Sequence, residues 1–243
     1  MNKYTIRQIG ILLVVLIPLG SAAAENQKLK LVTWNWPPYL QAISNQKLSG
    51  PAIDRLRCSL GRINQPYQVV FTDRHNAFRQ FQSGRQQGFF PVASGAEKNV
   101  EGRISRPLIV QHWMLYSFRD TGKAFFSSSD YKQNFSIGAT FGSDEWFWLK
   151  KNGYRVTKQP KGSNRLIELL LDRKVEAILL PKALMNQEFK KRNLSANSFN
   201  SIELNSQDLG VYFSQKFLDT NPGFLSSFND ALKACMPPLK EKH

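Results

Sequence analysis

The sequence has few of the residues on which enzyme active sites most often depend. Its 243 residues include 2 cysteines and 3 histidines. The histidines, His75, His112 and His243, show no metal-ligand spacing, and the chain has no phosphate-binding loop, nucleophile elbow or paired-carboxylate motif. These absences weigh against an enzyme and against a bound metal, and we expect no cofactor.

Long apolar runs are also scarce, since the only one lies near the N-terminus. Two basic residues precede the apolar residues 9–19, and three alanines follow at 22–24. This order is typical of a secretory signal peptide cleaved after Ala24, and the run is too short to span a membrane. No cysteine lies near the cleavage point, which argues against a lipid-modified N-terminus. We therefore expect residues 1–24 to be a signal peptide and the mature protein to be periplasmic.

Acidic residues are the third deficit. The chain has 18 Asp and Glu residues against 33 Lys and Arg, a formal net charge of +15, and loss of Lys3 and Arg7 with the signal peptide would leave +13 (15 minus 2). Such an excess favours encounters with anionic lipid, cell-wall polymers or acidic ligands. The basic residues are scattered and no zinc-finger, recognition-helix or RNA-binding signature accompanies them, so nucleic-acid binding is not expected.

The two cysteines would meet an oxidising environment in an exported protein. An even pair in such a chain predicts a disulfide between Cys58 and Cys235; the alternative is two unpaired buried thiols. On the chain-entropy estimate, a bridge that closes so long a loop contributes roughly 4 to 5 kcal/mol. It would join an early helix to the last one, so the chain would return at its end to where it began.

The most informative stretch is residues 31–40, Leu-Val-Thr-Trp-Asn-Trp-Pro-Pro-Tyr-Leu. Its first half suits a buried strand, and the two prolines then end the strand because they lack an N–H donor. Trp34, Trp36 and Tyr39 therefore follow the C-terminal end of a strand, where ligands bind in open α/β sheets. The alternative is that they are ordinary core aromatics. We assign Trp34 to the core, and Trp36 and Tyr39 to a binding site.

Apolar spacing and turn residues predict alternating strands and helices along the rest of the chain. Helices are predicted at 51–63, 76–82, 144–152, 164–172, 182–191 and 223–234, strands at 67–72, 88–93, within 104–118, and at 135–140, 156–159, 175–180 and 207–214, and a loop at 41–50. This alternation is typical of an α/β fold, a mostly parallel sheet with helices on its faces.

The predicted disulfide places the last helix with the first part of the chain. The chain would then form two lobes, one from residues 25–118 with 209–243 and the other from residues 119–208. Two strands would cross between the lobes. The cleft between them would trap a ligand by hinge closure.

Four stretches carry a resemblance to a known family. They are the opening strand at 29–39 with its Pro-Tyr end, residues 81–90, residues 97–108 with Glu-Lys and Ile-Ser-Arg-Pro-Leu, and residues 137–148 together with Val-Glu-Ala at 175–177. In their order and spacing these stretches resemble the bacterial extracellular solute-binding proteins of family 3, the periplasmic components of polar amino-acid uptake systems. Gly-Phe-Phe at 88–90 and Asn-Gly-Tyr at 152–154 resemble a divergent subgroup. The resemblance implies a two-lobed periplasmic-binding-protein fold of type II and an ABC-type permease as partner.

Three positions depart from the amino-acid binders of that family. Where those proteins hold the ligand carboxylate with an arginine, this chain has Lys98, which lacks the planar two-donor geometry. Where they bind the ammonium group with an aspartate, it has Pro181, and the second ring that often covers the ligand is replaced by Arg74 and His75. The chain keeps the scaffold without the standard amino-acid clamp, so strict amino-acid specificity is not expected.

The expected ligand-binding residues are Trp36, Tyr39, Arg74, Ser94, Lys98, Gly142 and Ser143. Arg74 and Lys98 would supply positive charge from the first lobe, and Gly142 and Ser143 would offer N–H donors at a helix start in the second. Each has an ordinary alternative: a solvated charge for the two cations, a plain helix cap for Ser143, and a turn hydroxyl for Ser94.

The sequence thus predicts a monomeric, non-enzymatic periplasmic protein that captures a small polar or acidic solute for uptake through an inner-membrane permease. Two alternatives stay open. One is a sensor or accessory module that presents its closed form to a membrane partner without transport. The other is a dehydratase-like enzyme on the same fold, which would need Glu97 or His75 in the cleft as acid or base.

Overall fold

The computed structural model describes residues 28–44, 47–93, 101–121 and 131–235. The predicted signal peptide, residues 1–24, lies outside them. Within the described residues, no helix has the length and apolar character needed to cross a membrane.

Nine strands of the described chain form one mixed sheet, and two more form a small separate one. The strands are β1 (Leu29–Thr33), β2 (Gln41–Ser44), β3 (Lys47–Ser49), β4 (Tyr67–Phe71), β5 (Gly88–Ala93), β6 (Gly102–Ile104), β7 (Ile109–Phe118), β8 (Ile137–Gly138), β9 (Val156–Lys158), β10 (Ala177–Pro181) and β11 (Phe199–Ser214). The order in the large sheet is β4-β1-β5-β11-β7-β10-β8-β9, with β6 also paired with β11, while β2 pairs with β3. The outer strands of both halves run parallel to their neighbours.

Helices cover the faces of the large sheet. They are α1 (Pro51–Arg62), α2 (Arg74–Gln82), α3 (Tyr131–Asn134), α4 (Asp144–Lys151), α5 (Ser163–Leu171), α6 (Lys182–Lys191), α7 (Gln215–Thr220) and α8 (Phe224–Cys235), with a 3-10 turn at Ala196–Ser198. Helix α1 shows why they pack: Ile53, Leu56 and Leu60 fall on one face at helical spacing and are all buried. The α/β fold predicted from the alternation of elements is confirmed.

The long strands β7 and β11 join the two halves of the sheet. They pair antiparallel from Ile109 opposite Leu209 to Phe118 opposite Phe199. At one end of this ladder β11 continues alongside β5. At the other end β7 pairs with β10. We call the half that contains β1, β4 and β5 the first lobe and the half that contains β8, β9 and β10 the second lobe.

Each lobe has its own hydrophobic core on both faces of the sheet. In the first lobe, Leu31 and Val32 lie in different clusters because successive side chains of a strand point to opposite faces. In the second lobe, Leu166 and Leu149 likewise belong to two different buried clusters. The buried clusters of the two lobes therefore have no residue in common, and Ala183 on α6 packs against the first-lobe core from the second lobe.

Strand β7 contributes to both lobes. Its first residue, Ile109, packs in the core of the first lobe, whereas Trp113 and Leu115 pack in the core of the second. The predicted division, with residues 25–118 and 209–243 in one lobe and 119–208 in the other, assigns all of β7 to the first lobe. Packing instead distributes the strand over both lobes, so the chain crosses between Ile109 and Trp113. The division of the rest of the chain remains a proposal.

Several elements differ from the predicted ones. The segment 41–50 is predicted as a loop, but it contains the paired strands β2 and β3. Helix α7 has no predicted counterpart. Helix α2 begins at Arg74, two residues before the predicted start, because the Asp73 side chain caps it by accepting a hydrogen bond from the Asn76 N–H at 2.9 Å. Strand β11 begins eight residues before the predicted start at 207, because pairing with β7 extends it through a polar stretch.

The predicted disulfide is confirmed. Cys58 on α1 is bonded to Cys235 at the end of α8, with Cα atoms 6.0 Å apart and a separation of 177 in sequence. The two helices pack against each other beside the first-lobe core, to which Leu56 and Phe228 contribute. The bridge therefore ties the last described helix of the chain to the first one.

Candidate functional site

A cavity of about 840 Å³ lies where the two lobes face each other. It is lined from the first lobe by Trp34, Asn35, Trp36, Pro37, Phe71, Thr72, Asp73 and Arg74, and from the second lobe by Thr140, Ser143 and Lys161. Its position beyond the C-terminal ends of β1 and β4 is the usual place for ligands in open α/β sheets. Its volume suits a small molecule.

Two tryptophans and an arginine form the first-lobe wall. The ring centroids of Trp34 and Trp36 are 5.8 Å apart, and the guanidinium carbon of Arg74 lies 5.9 Å from each of them. Trp36 is held in a tight turn, since its N–H donates to the Leu40 carbonyl at 2.8 Å. Cation–π contact of this kind orients the guanidinium while its N–H donors remain free for a ligand.

Asp73 is the acidic residue in the lining, and its charge is already engaged. Its carboxylate accepts hydrogen bonds from the backbone and the side chain of Asn76 at the start of α2. These hydrogen bonds, the backbone one first, hold the pKa of Asp73 below its usual value. Asp73 therefore stays ionised, with its carboxylate directed to the helix N-terminus.

The second-lobe wall presents hydroxyl groups and a lysine. Ser143 caps α4, because its hydroxyl oxygen accepts from the Trp146 N–H at 3.2 Å. Gly142 precedes it with φ of 73°, a left-handed conformation that suits glycine. Thr140 and Lys161 lie beside Ser143 in the lining. This wall can donate hydrogen bonds to an anionic or polar group.

A buried polar cluster lies where the lobes touch. Tyr39 from the first lobe is 5% exposed and is hydrogen-bonded to the Gln111 side chain, whose carbonyl oxygen accepts from the Trp113 indole N–H at 3.0 Å. Glu145, on α4 of the second lobe, is 8% exposed and interacts with the Ser143 hydroxyl. Burial, and then the charge of Glu145, raises the pKa of Tyr39 to about 12. Burial also raises the pKa of Glu145 above its usual value.

The structure brings part of the predicted ligand set together. Trp36, Arg74 and Ser143 line the cavity, while Tyr39 is buried in the polar cluster beside it, and Gly142 supports Ser143 without lining the cavity. Trp34, assigned to the core, is buried and also contributes to the lining. The remaining predicted residues, Ser94 and Lys98, lie outside the described residues, as does Glu97.

Sequence reasoning missed Lys161, Thr140, Gln111 and Glu145. Lys161 is exposed, and on so basic a chain nothing in the sequence distinguishes it from its neighbours. Glu145 falls in the first turn of a helix, a common position for a solvated acid, and its burial depends on the other lobe. His75, the other residue required by the dehydratase alternative, is exposed and is not part of the lining.

Glu145→Gln is expected to raise the thermal midpoint by a few degrees at neutral pH, with no gain in acidic solution. Because burial raises the pKa of Glu145, the folded protein binds this proton more tightly than the unfolded chain does. The stabilising contribution is complete below the unfolded pKa and is lost as the pH rises through the folded pKa. Thermal melts at several pH values check this, with Glu101→Gln, an exposed glutamate, as control. An effect of Glu145→Gln that does not change with pH would contradict it.

Comparison with known proteins identifies the fold through solved structures. No protein-family model matches the sequence, and no curated protein matches it. The GluR0 ligand-binding core in complex with L-glutamate superposes with a TM-score of 0.64 at 15% identity, over 86% of this chain and 92% of that one. A histidine kinase sensor domain similar to periplasmic binding proteins gives 0.62 at 13% identity, over 86% and 90%.

A third solved structure is a substrate-binding protein of an ABC uptake transporter. It comes from Streptococcus pneumoniae with bound histidine and gives a TM-score of 0.60 at 12% identity, over 84% of this chain and 85% of that one. Sequence identities this low show a shared fold and nothing more. The three superpositions nevertheless cover most of each chain. The superposed folds agree with the two lobes, the crossing strands and the cleft described above. The chain therefore has the two-lobed periplasmic-binding-protein fold that the resemblance to solute-binding proteins of family 3 implies.

Proposed function

We propose that this protein captures a small anionic solute in the cleft and closes its lobes around it, as the periplasmic component of an ABC-type uptake system. The observation that carries the proposal is the cavity lined by both lobes, with an indole-stacked arginine on one side and a lysine and hydroxyl groups on the other. A ligand held in it would touch both lobes, and only a closed arrangement offers all these contacts.

The charges of the lining support an anion rather than an amino-acid zwitterion. Arg74 and Lys161 are cationic, and the carboxylate of Asp73 is engaged with the start of α2. Pro181, at the position where amino-acid binders of family 3 carry the ammonium-binding aspartate, is buried and has no charge. Within the described lining Asp73 is the one acidic group and it already caps α2, so with Arg74 and Lys161 the lining carries net positive charge. A carboxylate or another small anion satisfies this arrangement.

Closure would bend the ladder of β7 and β11. These strands carry the chain between lobes whose buried clusters have no residue in common, so the lobes can move relative to each other without disrupting those clusters. The closed form excludes water from the cleft, which strengthens the charge-assisted hydrogen bonds to Arg74 and Lys161. The flat rings of Trp34 and Trp36 provide the apolar contact.

Arg74→Gln and Trp36→Ala are each expected to weaken ligand binding about tenfold or more. The arginine change removes a charged donor, and the tryptophan change removes the surface on which the ligand and Arg74 rest. The ligand is first found by native mass spectrometry of the protein purified from periplasm, and its affinity is then measured by titration calorimetry. The matched control is Arg79→Gln, an exposed arginine on the same helix that does not line the cavity.

Two results would contradict this proposal. The site assignment is wrong if Arg74→Gln and Trp36→Ala bind the ligand as tightly as Arg79→Gln. The function is wrong if the purified protein carries no small molecule and no organic acid, amino acid or sugar shifts its thermal midpoint.

A sensor role is the second candidate, because the histidine kinase sensor domain matches this chain as well as the binding proteins do. The Bordetella pertussis BvgS VFT2 domain also matches, with a TM-score of 0.60 at 13% identity. Uptake and sensing use the same closure and differ in the partner that recognises the closed form. Cross-linking of the ligand-loaded protein in cells separates them: a permease as partner supports uptake, and a signalling protein supports sensing.

A further inference from the structure

Three aromatic rings lie in contact on the surface of the second lobe. Phe141 and Phe147 are 57% and 59% exposed, which is high for large apolar side chains. Both contact Trp146, with ring centroids 5.2 Å and 4.8 Å away. The Trp146 indole N–H donates to the Gln159 side chain at 2.8 Å, which fixes the ring at the surface. The rings form one continuous exposed apolar patch, and such a patch marks an interaction surface more often than a scattered apolar residue does.

Three lysines lie on the segments that carry these rings and their hydrogen-bond partners. The Lys150 ammonium lies 5.3 Å from the centroid of the Trp146 ring. Lys158 precedes Gln159, and Lys161 follows Pro160, whose carbonyl accepts from the Phe141 N–H at 2.9 Å. We call Phe141, Trp146, Phe147, Lys150, Lys158 and Lys161 the aromatic–lysine face.

The lysines of this face lack acidic partners. Among the described residues, none of the three takes part in an ion pair, although seven ion pairs occur elsewhere in the described chain. Of the two acids in the neighbouring helix turn, Glu145 is buried in the polar cluster between the lobes and Asp144 is half-buried. The face therefore carries net positive charge, in agreement with the excess of +15 on the chain.

The cationic residues of this face are lysines and not arginines, which indicates what the face binds. Protein–protein interfaces are enriched in arginine and aromatic residues and depleted in lysine. Lysine combined with exposed aromatic rings is instead typical of surfaces that lie on anionic lipid, where the rings enter the headgroup region and the ammonium groups meet phosphates. The long stem of lysine also lets the charge reach the headgroups while its methylenes cover apolar surface.

We propose that the aromatic–lysine face binds the surface of an anionic lipid bilayer. Lys161 belongs both to this face and to the lining of the cleft. A protein held by this face would therefore carry its second lobe against the membrane, with the mouth of the cleft close to the headgroups. The proposal does not depend on the nature of the solute.

The test is flotation of the mature protein with lipid vesicles. The parent is expected to float with vesicles of equal parts phosphatidylcholine and phosphatidylglycerol, and to stay behind with phosphatidylcholine alone. Phe141→Ser with Phe147→Ser, and separately Lys150→Gln with Lys158→Gln, are each expected to weaken binding about tenfold or more. The matched control is Lys216→Gln with Lys233→Gln, two exposed lysines on α7 and α8 of the first lobe. Circular dichroism melts verify that each variant is folded.

The outcomes separate the proposal from its rivals. It is overturned if the parent does not float with the anionic vesicles, or if the face variants float as well as the control. The proposal would also be overturned, in favour of an acidic protein partner, by one further pattern. In that pattern the parent does not float with vesicles but is retained on immobilised polyaspartate, and the face variants are not retained. Binding that is lost equally in the control would indicate attraction by net charge alone and would overturn it as well.

Discussion

Replacing both Cys58 and Cys235 with serine is expected to lower the free energy of unfolding by about 4 to 5 kcal/mol. The bridge spans 177 positions of the sequence, so its loss returns a large conformational freedom to the unfolded chain. It also leaves α8, the last described helix, held to α1 by packing alone. Urea unfolding followed by tryptophan fluorescence measures the change.

The reduced parent is the control for this experiment. Treated with a reductant under the same conditions, it should unfold at the urea concentration of the double-serine variant, since both lack the bridge. A double-serine variant as stable as the oxidised parent would contradict the prediction. It would mean that the freedom returned to the unfolded chain is offset by residual structure in that state.

Gly50→Ala is expected to cost about 3 kcal/mol or more and to weaken ligand binding as well. Gly50 has φ of 116°, a conformation that side chains with a Cβ rarely adopt, and an added Cβ would meet the carbonyl oxygen of Tyr39. That oxygen accepts the N–H of Ala52 at 3.0 Å, which joins the start of α1 to the turn after β1. The substitution must therefore displace either the helix start or Tyr39 in the polar cluster between the lobes.

Gly61→Ala, in the helix that Gly50 precedes, is the matched control for Gly50→Ala. A Cβ at Gly61 would have no neighbour within 4 Å, so alanine there is expected to be neutral or to stabilise by about 0.5–1 kcal/mol. Thermal melts and titration of the ligand are measured on both variants. Equal stability of the two would contradict the role assigned to Gly50.

The fold could be predicted where sequence patterns are local and strong. Helix α6 and strand β5 were predicted with their observed bounds, because apolar spacing and turn residues define both ends. The first half of β11 could not be, since Asn200, Ser201 and Glu203 give it no apolar alternation, and its strand conformation comes from pairing with β7. Helix α7 was missed because Ser214 both ends a strand and caps the helix, with its hydroxyl accepting from Phe217.

The candidate site was predictable only in part, for a similar reason. Trp36 was predicted from its place at the end of a strand, Arg74 from a family position, and Ser143 from its place at the start of a helix. The burial of Tyr39 and Glu145 depends on how the lobes meet, and no local pattern in either segment encodes that contact. Residues whose surroundings come from distant parts of the chain are the ones that only the three-dimensional structure reveals.

The ladder between β7 and β11 makes the second lobe an insertion in the first. Ile109 and Leu209 lie side by side in that ladder, so the chain leaves the first lobe and returns to it at neighbouring positions. The bridge between Cys58 and Cys235 joins the two remaining parts of the first lobe covalently, so a single cut in the second lobe would not separate them.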